Sequence, residues 1–267
     1  MATILQKTKF GKVFLVGAGP GDVELLTLKA ARLLASADVV LIDDLAGDEV
    51  LQMCPQARII RVGKRGGCKS TPQAFIEKLL VREAQGGHTV VRLKGGDVSL
   101  FGRASEEIAA LEAAGIDFEI VPGVTAGLAA AAALKSSLTH RDHAHGVAFI
   151  TAHGAEGADI PWQSLAKSAL TLVVYMGVAR AASLQASLLA GGMSGSTPVI
   201  AVENASRAQA RSVCSTVSTM VDDFAQQSLQ SPAVLVIGEA MRARALALAG
   251  QALTHGDRDG APQRSVA

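Results

Sequence analysis

Short runs rich in β-branched residues alternate with segments of helical spacing along almost the whole chain. In the first half, five such runs predict strands over Lys12–Val16, Asp38–Ile42, Ala57–Val62, Thr89–Leu93 and Phe118–Val121. Between them, apolar residues at helical spacing predict helices over Glu24–Leu34, Pro72–Gln85 and Ala104–Ala114. Continuous apolar strands separated by helices indicate an α/β fold in which a parallel sheet is covered on both faces.

The second half repeats this alternation less regularly. Strands are predicted over Val147–Thr151, Leu170–Met176, Pro198–Val202 and Ala233–Ile237, and helices over Ala179–Ala190 and Val217–Gln227. Pro122 and Gly123 interrupt the pattern near the midpoint, which predicts two α/β domains over residues 11–122 and 123–250. Residues 1–10 are expected to be flexible, and the polar tail over 251–267 is expected to be disordered.

Composition excludes several classes of function. Lys and Arg number 25 against 24 Asp and Glu, so no net field attracts nucleic acid or an anionic membrane. Aromatic residues make up only 3% of the chain, which disfavours stacking on single-stranded nucleic acid. Any anionic substrate must therefore be bound by locally placed cations.

The cellular compartment is constrained by the cysteines and the apolar segments. Cys54, Cys68 and Cys214 form no CxxC pair, which is typical of reduced thiols in the cytoplasm. The opening residues MATILQKTKFGK lack the apolar core of a signal peptide, so none is expected. The apolar stretch Gly123–Leu134 stops at Lys135, short of the ~18–20 residues that a membrane span needs.

A glycine-rich loop follows the first predicted strand, with the sequence Val16-Gly17-Ala18-Gly19-Pro20-Gly21-Asp22. A dinucleotide-binding loop needs a third glycine at the place that Asp22 occupies. Pro20 also offers no N–H to a phosphate. The loop therefore suits close backbone approach to a ligand without a pyrophosphate, or else forms a tight turn in which Asp22 caps the next helix.

Two further glycine segments follow predicted strands. Gly95-Gly96-Asp97 lies at the carboxyl end of a strand, where open α/β sheets bind ligands, and suits a ligand with a hydroxyl pair or a cation. The alternative is ordinary turn chemistry. Val121–Gly127 (VPGVTAG) opens a helix of very small residues, which indicates either ligand contact or tight helix packing.

Longer motifs occur in a distinctive order. They are VFLVGAGPGDVELLTLKAARLLASADVVLIDDL, VGKRGG, PQAFIEKLLVREAQGGHTVVRLKGGD, FGR, EE, AGIDFEIVPGVTAG and LTHR. From about residue 12 to about residue 240, the chain resembles the tetrapyrrole methylases. Within them it is similar to the S-adenosylmethionine-dependent uroporphyrinogen-III C-methyltransferases. Departures from the family pattern fall at Ile42, Val98, Ala104 and Ser105, and none of them removes a functional group.

The resemblance implies a fold, a methyl donor and a substrate. It implies two α/β domains with the methyl-donor site in the cleft between them, assembled as a homodimer. The implied reaction transfers methyl groups from S-adenosyl-L-methionine to C2 and C7 of uroporphyrinogen III. The products are S-adenosyl-L-homocysteine and precorrin-2, for siroheme or cobalamin synthesis. Carried over residue by residue, the donor contacts are Pro20, Gly95, Gly96, Asp97, Leu100, Thr125, Ala126, Met176, Ala205 and Ala233.

The charged candidates follow from the same resemblance. Asp43 matches a proposed proton acceptor, although adjacent acids such as Asp43 and Asp44 are also common as solvated turn residues. Lys64 matches a proposed proton donor. A salt contact to a substrate carboxylate is the alternative, because the leaving thioether is neutral. The eight carboxylates of the implied substrate need cations, for which Arg65, Arg103 and Arg141 are the candidates; Lys69 is more typical of a solvated side chain.

Other possibilities remain open at this point. The segment His140–His145 alternates histidine with other residues, but Arg141 lies within it and no further ligand pair completes a metal shell, so no metal site is expected. A methylase acting on a later precorrin and a donor-binding regulatory module without turnover are the competing functions. An NAD-dependent oxidoreductase is disfavoured by Asp22.

Overall fold

The structure is a computed structural model that describes residues 10–63, 71–153 and 160–256, with the side chains of 250–256 left undescribed. The chain divides into two compact units, Met1–Ala126 and Gly127–Ala267. Each unit is built on a five-stranded sheet. Both units are therefore of α/β type, as the sequence predicts.

The sheet of the first unit is entirely parallel. Its strands are β1 (Val13–Gly17), β2 (Val39–Ile42), β3 (Arg58–Arg61), β4 (Val90–Lys94) and β5 (Phe118–Val121). They lie in the order β3-β2-β4-β1-β5. Two separate clusters of buried apolar side chains cover its two faces. This confirms the parallel, doubly covered sheet predicted for the first half.

Four helices belong to this half of the chain or begin in it. They are α1 (Leu28–Leu34), α2 (Gln73–Gln85), α3 (Ala104–Ala113) and α4 (Ala126–Ala133). The helix predicted over Glu24–Leu34 is divided in the structure, because a 3₁₀ turn over Val23–Leu25 precedes α1. The Thr27 side chain accepts a hydrogen bond from the backbone N–H of Ala30 at 3.1 Å, so α1 starts after it.

The sheet of the second unit is mixed. Its strands are β6 (Val147–Thr151), β7 (Thr171–Tyr175), β8 (Pro198–Glu203), β9 (Arg211–Thr216) and β10 (Ala233–Ile237), in the order β6-β7-β10-β8-β9. Only β6 and β7 are parallel, and the other three pairs are antiparallel. The sequence pattern does not predict β9, because this edge strand (RSVCST) lacks a run of apolar residues.

The second unit contains α4, except for its first residue, and four further helices. These are α5 (Trp162–Ala166), α6 (Ala181–Ala190), α7 (Met220–Gln226) and α8 (Arg242–Gly256). Helix α8 includes residues 251–256 of the segment expected to be disordered, while 257–267 and the expected flexible residues 1–9 lie outside the described ranges. Within the described ranges, every helix is too short or too polar to cross a membrane.

Candidate active site

The loops that follow β1, β4 and β5 meet at the carboxyl end of the first sheet. Their backbones approach so closely that only glycine fits at the crossing. A Cβ on Gly123 would lie 2.4 Å from the carbonyl oxygen of Gly96, and a Cβ on Gly17 would lie 2.7 Å from the Cα of Gly123. These glycines are therefore required by the packing of the three loops against one another.

Hydrogen bonds join the β1 and β4 loops. Gly96 N–H donates to Gly19 O at 2.7 Å, and Gly19 N–H donates to Gly96 O at 3.2 Å. Ala18 N–H donates to Lys94 O at 2.8 Å. These three N–H groups are thus already used within the protein, and Pro20 has none, so the β1 loop offers no row of N–H donors to a phosphate. The loops suit a ligand that has no phosphate.

Asp97 connects the β4 loop to the β5 loop. One carboxylate oxygen accepts from Ser99 N–H at 2.8 Å, and the other accepts from Gly123 N–H at 2.9 Å. The predicted donor contacts of the first unit therefore lie on loops that are fixed to one another. Thr125 is buried there. The half-buried members of the set are Pro20, Gly95, Gly96, Asp97, Leu100 and Ala126.

The segment before α3 has unusual backbone geometry. Phe101 and Arg103 adopt left-handed φ angles of 56° and 55°. Such conformations are costly for residues with a side chain and concentrate at functional sites. The guanidinium of Arg103 is exposed and hydrogen-bonds the Glu106 carboxylate at 2.6 and 2.9 Å, which raises the pKa of Arg103 and lowers that of Glu106. Arg103 thus presents a permanent cation at this end of the sheet.

Asp43 begins the loop after β2 and is 29% exposed. Its carboxylate accepts from Nη2 of Arg92 through both oxygens, at 2.8 and 3.0 Å. The neighbouring 3₁₀ turn over Asp44–Ala46 is tightly packed, since a Cβ on Gly95 would lie 2.7 Å from the Cβ of Leu45. The Asp43 carboxylate is therefore held in place and only partly exposed.

The partner of Asp43 is one member of a buried group of charges. Arg92 Nε donates to Glu107 Oε1 at 2.9 Å, and Lys94 Nζ donates to both Glu107 oxygens at 3.0 Å. The side chains of Arg92, Lys94 and Glu107 are 2%, 4% and 0% exposed. Burial and the nearby Arg92 charge lower the pKa of Lys94, although the Glu107 carboxylate opposes them.

The sequence analysis assigns no role to Arg92, Lys94 or Glu107, although Arg92 and Lys94 directly precede Gly95-Gly96-Asp97. A signal for them was available. Two cations two residues apart in a strand share one face of the sheet, and charges in a strand covered on both sides need buried partners. Glu107, on the inward face of α3, is that partner.

Three predicted donor contacts of the second unit lie at one end of its sheet. Met176 follows β7, Ala205 follows β8, and Ala233 starts the antiparallel β10. The register pairs Ala233 with Glu203, and Val234 with Tyr175. Met176 is exposed with a left-handed φ of 55°, and Ala205 is buried. The structure therefore brings these three residues to a common edge.

Arg141 lies on a different segment. It is exposed in a turn closed by hydrogen bonds between His140 and Ala144, before the start of β6. His143 lies close enough to interact electrostatically with Glu239, which follows the far end of β10. Arg141 thus lies on the turn that precedes β6, and not on the segments that carry Met176, Ala205 and Ala233.

Other predicted residues fall outside the described ranges or form no cluster. Lys64 and Arg65 belong to residues 64–70, which the structure does not describe. Within residues 10–63, 71–153 and 160–256, no three His, Cys, Asp or Glu side chains gather in a way that could hold a metal ion.

Curated proteins of similar sequence carry two kinds of name. The chain is 55% identical over 232 residues to a uroporphyrinogen-III C-methyltransferase from Pseudomonas aeruginosa, covering 87% of this chain and 95% of that protein. It is 44% identical to a siroheme synthase from Pseudoalteromonas translucida, covering 86% of this chain and 49% of that protein.

Solved structures and the family description agree with these relatives. A crystal structure of uroporphyrin-III C-methyl transferase from Thermus thermophilus, complexed with S-adenyl homocysteine, matches with a TM-score of 0.77 and 40% identity. The match covers 87% of this chain and 100% of that one. The family described as Tetrapyrrole (Corrin/Porphyrin) Methylases matches residues 12–221. Because these matches extend over most of the chain, they confirm the resemblance seen in its motifs: the chain belongs to the tetrapyrrole methylases.

Proposed function

We propose that this protein transfers methyl groups from S-adenosyl-L-methionine to C2 and C7 of uroporphyrinogen III. The products are precorrin-2, an intermediate for siroheme or cobalamin synthesis, and S-adenosyl-L-homocysteine. Relatives named for this reaction, 55% and 49% identical to the chain, support it. The structural observation that carries the proposal is the hydrogen-bonded pair of glycine loops at the carboxyl end of the first sheet.

The glycine loops fit S-adenosylmethionine in their chemistry. This donor has ribose hydroxyls, an ammonium and a sulfonium, but no phosphate. The loops supply carbonyl oxygens and one carboxylate, while the N–H groups of Ala18, Gly19 and Gly96 are already bonded within the protein. Gly95, Gly96, Asp97 and Thr125 are the residues of the first unit that we assign to it. When bound, the donor supplies an electrophilic methyl group on a positively charged sulfur.

Asp43 is assigned to the positive charge that develops on the substrate. A pyrrole carbon that gains a methyl group turns its ring into a cation. Because every such carbon already carries a side chain, the proton must leave from a ring nitrogen or a bridging carbon. A carboxylate oxygen of Asp43 stabilises this cation and accepts that proton. Loss of that proton leaves the methylated ring neutral.

The cationic side chains are assigned to the carboxylates of uroporphyrinogen III. Arg103 is exposed and remains charged at any working pH. Its ion pair with Glu106 is on the surface, where such pairs are worth only ~0–1 kcal/mol, so a substrate carboxylate can exchange for it. Lys64, Arg65 and Arg141 are retained as further candidates, with Lys64 either a proton donor or a salt contact.

We also propose that the protein acts as a homodimer in the cytoplasm. Exposed large apolar side chains such as Leu28 and Ile120 in the first unit are consistent with a self-complementary interface. The free thiols of Cys54 and Cys214 are consistent with a reducing compartment. Light scattering at micromolar concentration that gives the mass of a single chain would contradict the dimer.

A stoichiometric assay tests the proposed reaction. Purified protein is incubated anaerobically with uroporphyrinogen III and excess donor, and the S-adenosylhomocysteine formed is counted against the substrate consumed. We expect two equivalents per uroporphyrinogen III. No turnover, with the donor still bound, would instead support a regulatory module.

A further inference from the structure

Four charged side chains of alternating sign form a chain through the interior of the first unit. Asp43 contacts Arg92, Arg92 contacts Glu107, and Glu107 contacts Lys94, with every distance between 2.8 and 3.0 Å. Asp43 is the only one of the four with substantial exposure. This group of charged side chains is therefore exposed to solvent mainly at Asp43, the carboxylate that we assign to the reaction.

Stability alone is a poor reason for such an arrangement. The desolvation of buried charges offsets most of their mutual attraction, and apolar residues of similar size usually serve a core as well or better. Strand β4 carries Val90, Val91 and Leu93 beside Arg92 and Lys94, so this sheet accepts buried apolar side chains at neighbouring positions. The charges are better explained by what they hold in place.

Arg92 is built to fix the orientation of one carboxylate. Its Nη2 group contacts both oxygens of Asp43, while Nε is held by Glu107 and Nη1 donates to the carbonyl of Leu93 at 3.2 Å. Each nitrogen of the rigid guanidinium is therefore engaged in a different direction. The Arg92 guanidinium is therefore fixed in place, and its two hydrogen bonds set the orientation of the Asp43 carboxylate.

Glu107 and Lys94 complete this support. Glu107 lies on α3, so its contact with Arg92 ties the helix to the centre of the sheet. The ammonium of Lys94 pairs with the Glu107 carboxylate. The Lys94 side chain also lies close to Gly102, the residue before Arg103, since a Cβ on Gly102 would be 2.9 Å from Lys94 Cε. The same group thus spans from Asp43 to the loop that carries Arg103.

We infer that Arg92 is a positioning residue for the reaction, which holds the Asp43 carboxylate in its working orientation and is itself held by Glu107. The inference rests on the proposed function, because it assigns Arg92 a role through Asp43. It predicts that Arg92 matters to turnover only while Asp43 is present. It also predicts that donor binding is independent of Arg92.

A double-mutant cycle tests this inference with Arg92→Met, Asp43→Asn and the double variant. Because small misplacements of a reacting group cost up to ~100-fold in rate, we expect Arg92→Met to lower kcat by about 10- to 100-fold. The KM for uroporphyrinogen III and the Kd for S-adenosylhomocysteine should change by less than about twofold. In the Asp43→Asn background, Arg92→Met should change kcat by less than about threefold.

A matched control separates positioning from general destabilisation. Arg58 also pairs with a buried carboxylate, that of Glu83, but at the amino end of the same sheet. Arg58→Met should weaken the fold, measured by urea unfolding, and leave kcat unchanged. If Arg92→Met does not fold, Glu107→Gln takes its place in the cycle, because it loosens the Nε anchor while keeping the size of the side chain.

The outcomes distinguish this inference from the proposed function. A wild-type protein that does not methylate uroporphyrinogen III overturns the function itself. A wild-type protein that is active, together with additive effects of Arg92→Met and Asp43→Asn on kcat, overturns the positioning role alone. So does an Arg92→Met variant that is folded and has normal kcat, or one that loses donor affinity as much as turnover.

Discussion

Gly96→Ala separates the donor site from the stability of the fold. Gly96 has a φ of +73°, where a residue with a Cβ pays about 1–2 kcal/mol. The added Cβ meets no protein atom closer than the Cα of Thr125, at 3.9 Å. Its hydrogen bonds to Gly19 use only backbone atoms and are retained. The substitution therefore adds strain and one methyl group on the open side of the loop, and nothing else.

Gly115→Ala is the matched control. Gly115 follows α3 with a φ of +64°, and a Cβ there has no atom within 4 Å. Both variants should lose about 1–2 kcal/mol in free energy of unfolding, measured with urea. Only Gly96→Ala should lose affinity for S-adenosylhomocysteine, because its added methyl group faces the proposed donor; a tenfold loss corresponds to ~1.4 kcal/mol of binding free energy.

Isothermal calorimetry of S-adenosylhomocysteine binding gives the decisive comparison. The titrations are run well below the midpoint of either unfolding transition, so that both variants remain folded. Wild-type affinity in Gly96→Ala would remove this loop from the donor site. Equal losses in Gly96→Ala and Gly115→Ala would show that strain, rather than contact with the donor, accounts for the effect.

Three other substitutions test other parts of the account. Asp43→Asn should lower kcat by ~10²–10⁴ with little change in donor affinity, as expected for a general base, and a near-normal kcat would leave Asp43 as a turn residue. Arg103→Ala should raise the KM for uroporphyrinogen III and make that KM less sensitive to salt; an unchanged salt dependence would contradict a charge contact. Glu83→Gln should destabilise the fold in a pH-dependent way. Burial alone would raise the pKa of Glu83, but hydrogen bonds from Arg82 and Arg58 lower it overall from 4.5. The wild type should therefore exceed the variant in unfolding free energy above pH 4.5, and the difference should disappear as pH falls through the lowered pKa. A difference that does not vary with pH would argue against this ion pair.

Much of the first unit could be predicted from the sequence. Most of its strands are apolar runs, and Pro20 and Asp22 in the loop after β1 indicate that this loop is poorly shaped for a pyrophosphate. These features depend on residues that are close in sequence, so the sequence alone is enough to predict them. The Asp22 side chain does accept a hydrogen bond from Glu24 N–H at 2.9 Å, as the capping interpretation expects.

The remainder depends on contacts between distant residues. Strand β10 pairs antiparallel with β7 and β8. The direction of a strand in the sheet depends on the path of the connecting chain, and the hydrophobic periodicity of the strand does not predict it. Arg92 and Glu107 are 15 residues apart, and Arg92 and Asp43 are 49 apart, so their connection appears only once β2, β4 and α3 are assembled. The strand sequence VVRLK showed two cations, but not that both would be buried.

The position of the transferred methyl groups tests the central claim most directly. Uroporphyrinogen III is incubated with S-adenosylmethionine labelled with ¹³C in its methyl group, and the product is examined by NMR. We expect two labelled methyl groups, both on ring carbons that already carry a side chain, at C2 and C7. A labelled methyl group on a bridging carbon, or no label in the tetrapyrrole at all, would contradict the assignment of this chain as the enzyme that forms precorrin-2.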